Sequence, residues 1–558
     1  MPDRQQEEKV ALTPWDSRLE LASSKRRLTE LLDRPDADQA IAALSEGECY
    51  YLVKELGIDD AHPILAVMTA EQIRALVDLD TWHKDRLQIA DALTWLSAFA
   101  DVSSEKLYEA ANSIDFELLG LILRRRLLVC SAKLPEEEHP LWVKVSDDVI
   151  ETPDGRFFLG SRPIDEEDVE AEDELEGPSL DEDERKAVLQ IVEKLYKTED
   201  WEFIARALRL AETDSSPNLE EDALRFRNAR IEDLGFPPRE RAIEVYGPLD
   251  PAELQSIEAD VATTDLRLPA LYAEQFSKRG LLHDALATIS DGYTVERIEG
   301  ELVPLANAIM MADRVAPGDL EGLSRSLERL VGNLTIAIGH EAPEGRKVEL
   351  ARERLEHKPL RSLFRVGHTL TIRVADRARK LVATSVFARG RDRLALLSTK
   401  ERSIVEALLL QRPAASPELF GKPGLSRPFQ SSEELDEAQR ALDQVEAQAK
   451  ILARHSAPKT KTYLPEIEWT SRVLVATIAA NAALGQAVSA TPIAAAELEE
   501  LAEALSGKDA LERAMAALEA NDDATRKVVT SAIEELMEEL RPRPIDPRMV
   551  HTLLIEKS

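Results

Sequence analysis

The chain has 558 residues and a formal charge of −35, with 44% hydrophobic and 31% charged residues and two cysteines. This balance excludes a disordered chain, a disulfide scaffold and, because an acidic surface repels phosphate, general nucleic-acid binding. Few aromatics beside abundant Ala, Leu and Glu point to a predominantly all-α fold of about three or four domains.

In chain order, the first segment (1–135) reads as a row of short helices with one recurring start signal. Ser45 with Glu48 and Thr69 with Gln72 have capping-box spacing, and Ser103 opens a third copy in which Lys106 replaces the acid. Irregular spacing makes this a loose helical array. Cys49 and Cys130 lie in no metal-ligand spacing and fit a reducing cytoplasm. The N-terminal residues Met1 to Glu8 hold no apolar signal core.

In the second segment (136–183), residues 141–160 change to alternating hydrophobicity, and Pro153-Asp154-Gly155 supplies turn chemistry for one small β-hairpin. The run Asp165 to Glu184 then carries thirteen acids and no base, the composition of a solvated linker. Segment 184–261 is a helical connector with tight Gly/Pro corners, and 262–420 is a central helical domain in which Pro304 is expected to open a helix. The last segment (421–558) holds a long helix capped by Ser431. An Ala-rich helix follows near 473–487, too short and too polar at Asn481 for membrane insertion. The tail after Arg541 is expected to be an extended arm.

Three clusters invite chemistry. The stretch VDLDTWHKDRL (77–87) gathers Asp78, Asp80 and Asp85 with His83, a set suited to Mg²⁺ or Ca²⁺. Helical spacing puts Trp82 in line with Ile89, Leu93 and Leu96. On this reading Asp80 caps the helix carrying Trp82, Asp78 pairs with Arg74, and Asp85 lies beside the apolar face. The expectation is joinery between helices, not a metal centre.

The second cluster, Arg225, Arg227 and Arg230, suits anion recognition, with a salt-bridge network to nearby acids as the favoured alternative. The third is the interval His357 to Arg402, with twelve Lys and Arg against three acids. Its Arg389, Arg391 and Arg393 suit docking to an acidic protein segment, and the acidic run 165–184 is an intramolecular alternative. Nucleotide-loop, zinc-protease and nucleophile-elbow motifs are absent. No catalytic residue is assigned.

The stretches LSEGECYYLVKELG, MTAEQIRALVDLDTWHKDRL and FRNARIEDLGFPPRERAIEVY resemble a family of large helical bacterial proteins of unknown function, over most of the chain. Residues 36–130 also resemble the superhelical cytosolic domain of MgtE-type magnesium transporters and related flagellar switch modules. That second likeness implies a packing style and acidic cation sensing, with no ligand residue carried over. The resulting expectation is a cytoplasmic helical scaffold or adaptor that binds a protein partner. Its alternatives are a divalent-cation-responsive module and an enzyme holding an anionic substrate at the arginine corner.

Overall fold

A computed structural model describes Trp15 and residues 31–83, 85–145, 149–161, 182–259, 268–421, 424–455, 469–507, 509–542 and 544–556. The fold is predominantly α-helical, with two small antiparallel sheets. Among the described residues, no helix is long and apolar enough to cross a membrane. The chain forms two compact units. One takes residues to Gly247 with Leu254–Val331 and Ala342–Phe364, the other Pro248–Glu253, Gly332–Glu341 and Arg365–Ser558.

In the first unit the expected caps form. Ser45 accepts from the Glu48 amide ahead of the helix Glu46–Leu56, and Thr69 and Gln72 close a full capping box on Ala70–Asp80. Each such cap contributes about 1 kcal/mol. Ser103 caps Ser104–Ser113, and the Lys106 that breaks the motif sends its Nζ 2.6 Å to the Met68 carbonyl, tying this helix to the entry of Ala70–Asp80. Tyr51 and Tyr272 share a buried hydrogen bond of 2.9 Å, and Tyr272 donates to Asn307, so three helices meet on one polar chain.

The expected hairpin is present and larger. Leu127–Ser131 pairs with Phe157–Ser161, which pairs with Ile150–Glu151, so a third strand joins from the end of the helix Phe116–Arg126. Gly155, at φ +65°, makes the turn, and Asp154 holds it by accepting from Thr152 Oγ1 and the Arg156 amide. Residues Leu141–Val145, expected to be strand-like, form a short helix instead. Trp142 packs on Gly160, where any Cβ would collide with the indole.

Pro304 does not open a helix; it lies inside Gly292–Asp313, which Asp291 caps at Thr294. A proline there costs about 3 kcal/mol. Burial of Val295, Ile298, Leu302, Leu305 and Ile309 on both sides of it keeps the helix continuous.

In the second unit the helices Ser471–Ala483, Leu498–Ser506, Ala510–Ala517 and Asp523–Glu539 pack around one apolar core. The helix Ser432–Arg454 joins it at Ile451 while giving Leu435, Leu442 and Val445 to a second core with Ile336, Val374 and Ile404. Asn481, the polar residue in the apolar helix, donates to the Thr477, Ser489 and Thr491 carbonyls and pins the following loop. Two glycines allow main chains to touch: a Cβ at Gly332 would collide with the Phe429 carbonyl, and one at Gly367 with the Asn333 carbonyl. The tail is not an extended arm. Leu553, Leu554 and Ile555 are fully buried, Ile555 bridges Ile493 in parallel, and the Leu554 amide donates to Thr477 Oγ1 at 2.9 Å.

Candidate functional site

The helix Ala70–Asp80 ends at Asp80, so Asp80 closes one helix instead of capping the next. The chain then reverses in a minimal hairpin, Trp82–His83 against Arg86–Leu87, with Trp82 opposite Leu87. This moves Asp85 to the exposed tip, away from any apolar face. The next helix begins only at Ile89.

Asp78, in contrast, is 2% exposed. Its partner is Arg230, from the helix Ser216–Asp233, which donates to both carboxylate oxygens at 2.6 and 2.9 Å. The same guanidinium reaches both oxygens of Asp115, at 2.9 and 2.5 Å. Arg227 donates to the Asp78 carbonyl at 2.8 Å and lies over the Trp82 ring at 5.4 Å. Arg74, the partner expected for Asp78, instead donates to the Ser113 carbonyl at 2.5 Å.

Burial pushes the Asp78 carboxyl above its ordinary value, against the pull of Arg230. Burial also lowers the Arg227 guanidinium to about 10. Although burial opposes its charge, Arg230 is raised by hydrogen bonds to its two carboxylates. The two-pronged geometry gives the charged forms oriented hydrogen bonds that oppose this burial cost.

Asp80 sits in a second knot. Its Oδ1 accepts from Tyr50 Oη at 3.0 Å and Lys54 Nζ at 2.9 Å, and its Oδ2 accepts from Trp95 Nε1 at 2.9 Å. Asp78 and Asp80 thus face cations and N–H or O–H donors, the environment of a structural carboxylate. Among the described residues, no three Asp, Glu, His or Cys side chains form a group able to hold a metal ion. Burial pushes the nearby Cys49 thiol up to about 12, leaving it without thiolate reactivity.

The arginine corner disperses. Arg225 is exposed, pairs with Asp222 at 2.9 Å and covers the Phe226 ring, whereas Arg227 and Arg230 turn inward to the Asp78 node. Asp115, Tyr50, Lys54 and Trp95 were not singled out by sequence reading. Arg230 and Asp78 stand 152 positions apart, and no local spacing signals their meeting.

Most cations of the basic interval are also engaged. Lys358 pairs with Glu258, Arg361 with Glu244, Arg373 with Asp250, Arg377 with Asp443 and Glu446, and Arg402 with Asp392 and Glu406. Arg389 lies over the Trp469 ring at 5.2 Å, and its amide bonds the Asp392 carbonyl. Asp392 also accepts from the Leu394 amide, so this turn is held at several points. Arg391 and Arg393 project from it, exposed and without an ion pair among the described residues. The acidic run expected as their intramolecular partner lies outside the described residues as far as Asp181.

The chain belongs to a family of unknown function, DUF6178, whose profile matches residues 4–556. Neither a curated protein nor a solved structure matches it, so the likeness to the MgtE-type module has no counterpart among them.

Proposed function

We propose that this member of the DUF6178 family is a helical scaffold or adaptor that docks an acidic segment of a protein partner on the turn carrying Arg391 and Arg393. The observation behind this reading is the contrast within the basic interval. Its other arginines are largely spent on internal ion pairs, while these two have no ion pair among the described residues and stand exposed on a turn held by Arg389–Trp469 and Asp392–Arg402. These held cations create a local positive field that steers an acidic segment, whereas the net charge of −35 repels whole copies of the chain from one another. A fixed turn also reduces the ordering cost of binding.

The cation-responsive alternative has weaker support, because the oxygens of Asp78 and Asp80 already accept from Arg, Lys, Tyr and Trp donors. The test is quantitative affinity capture from the native cell with wild-type protein and with the double variant Arg391→Glu/Arg393→Glu. Both side chains are exposed, so the variant should keep its stability to within about 0.5 kcal/mol. A protein enriched by the wild type and reduced at least about tenfold by the variant, in a salt-sensitive manner, supports docking. Identical capture profiles would refute it.

A further inference from the structure

We propose that the second unit binds a small organic acid with a partly apolar body, in a cleft between the helices Ser432–Arg454, Ser471–Ala483 and Asp523–Glu539. This goes beyond the scaffold reading and rests on different residues. The cleft has a volume of about 500 Å³. That lies within the roughly 300–1,000 Å³ of small-molecule sites. Small side chains keep it open, with Ala476 on one helix and Ala532 on another where larger residues would close a helix interface.

The deep end is polar and fixed. Gln448 is 2% exposed, accepts from Ser471 Oγ at 2.5 Å and donates to Glu401 Oε1 at 2.7 Å. Glu401 is itself held by a capping box with Ser398, so the amide has one orientation. Its second Nε2 hydrogen has no partner among the described residues, leaving a donor for a ligand hydroxyl or carbonyl. Val473 and Val528 supply apolar wall.

The rim differs. Arg472 makes one long hydrogen bond, 3.3 Å to Glu535 Oε1, an oxygen that also accepts from Ser531 at 3.1 Å. Most of its guanidinium donors therefore have no partner among the described residues, and Lys527, which pairs with Asp523 at 2.8 Å, also lines the cleft. A carboxylate at the rim takes the Arg472 fork in two bonds, while the body lies on the valines and a polar group reaches Gln448. A neutral analogue loses the first contact, and a bare alkyl chain loses the last.

The test uses full-length protein and anilinonaphthalene sulfonate, an amphipathic anion that fluoresces in partly apolar clefts. 4-Hydroxyphenylacetate should displace it at a concentration about tenfold lower than the uncharged 4-hydroxyphenylacetamide needs, the size expected for one charge-assisted contact. Arg472→Ala should erase that preference, and Ala532→Trp should remove the fluorescence. Equal displacement by acid and amide in the wild type overturns the proposal. So does a preference that survives Arg472→Ala, or fluorescence that survives Ala532→Trp in protein with a normal melting transition. The rim arginine is half exposed and its variant keeps the core, so that arm decides even where the tryptophan variant does not fold.

Discussion

The Asp78 node of the first unit and the Gln448 cleft of the second are both polar and both assembled from distant segments, yet they are finished differently. At the node, four of the five N–H donors of Arg230 are taken by the oxygens of Asp78 and Asp115, so little is left to offer a ligand. At the cleft, a buried amide keeps a donor and an arginine keeps most of its fork. Burial alone therefore does not distinguish a site from a joint. The distinguishing quantity is whether the hydrogen-bonding capacity of the group is used up inside the protein.

Three substitutions sharpen this contrast. Arg230→Ala strips Asp78 and Asp115 of their shared cation and leaves a buried carboxylate unpaired, so chemical denaturation should show a loss of about 3–5 kcal/mol. An unchanged midpoint would mean the node is not a structural joint. Gln448→Leu leaves Ser471 and Glu401 with less compensation and should cost about 1–3 kcal/mol, less than the node because no ion pair is broken. A cost as large as that of Arg230→Ala would erase the distinction between the regions.

The smallest effect belongs to Asp522, which caps Asp523–Glu539 through the Thr525 amide. That backbone hydrogen bond, with the Thr525 hydroxyl, lowers its carboxyl to about 2. A depressed acid contributes stability that is complete above its unfolded value, near ~3.9, and is lost as pH falls through the folded value. Asp522→Ala should therefore cost about 1 kcal/mol at neutral pH. In denaturation at a series of pH values, the gap from wild type should close toward pH ~2; a gap independent of pH would contradict the capping role.

Features set by near neighbours were legible in the sequence. The caps at Ser45, Thr69, Ser103 and Ser431 and the turn at Gly155 each need only a few consecutive residues, and each forms. The hairpin at Trp82 was not legible, because its apolar residues coincide with helical spacing to Ile89. Only the pairing of Trp82 with Leu87 shows that the period is two. Pro304 misled because a local penalty was outweighed by buried contacts along the whole helix. The tail misled because its prolines suggest an extended chain, while its burial depends on Ile493 and Thr477, some sixty to eighty positions earlier. Of the candidate residues, Asp78 and Arg230 were each picked out, but for different clusters; their union required the fold.

The close seat of Gly367 on the Asn333 main chain bears on how the protein can be cut. Both residues belong to the second unit, yet a stretch assigned to the first separates them along the chain. A recombinant fragment starting at Arg365 would keep the glycine and lose the surface it rests on, exposing apolar area that invites aggregation. Shortening the other end before Leu553 would remove Leu553, Leu554 and Ile555 from the other apolar core of the unit. Biochemical dissection of this unit should thus proceed by point substitution in the intact polypeptide.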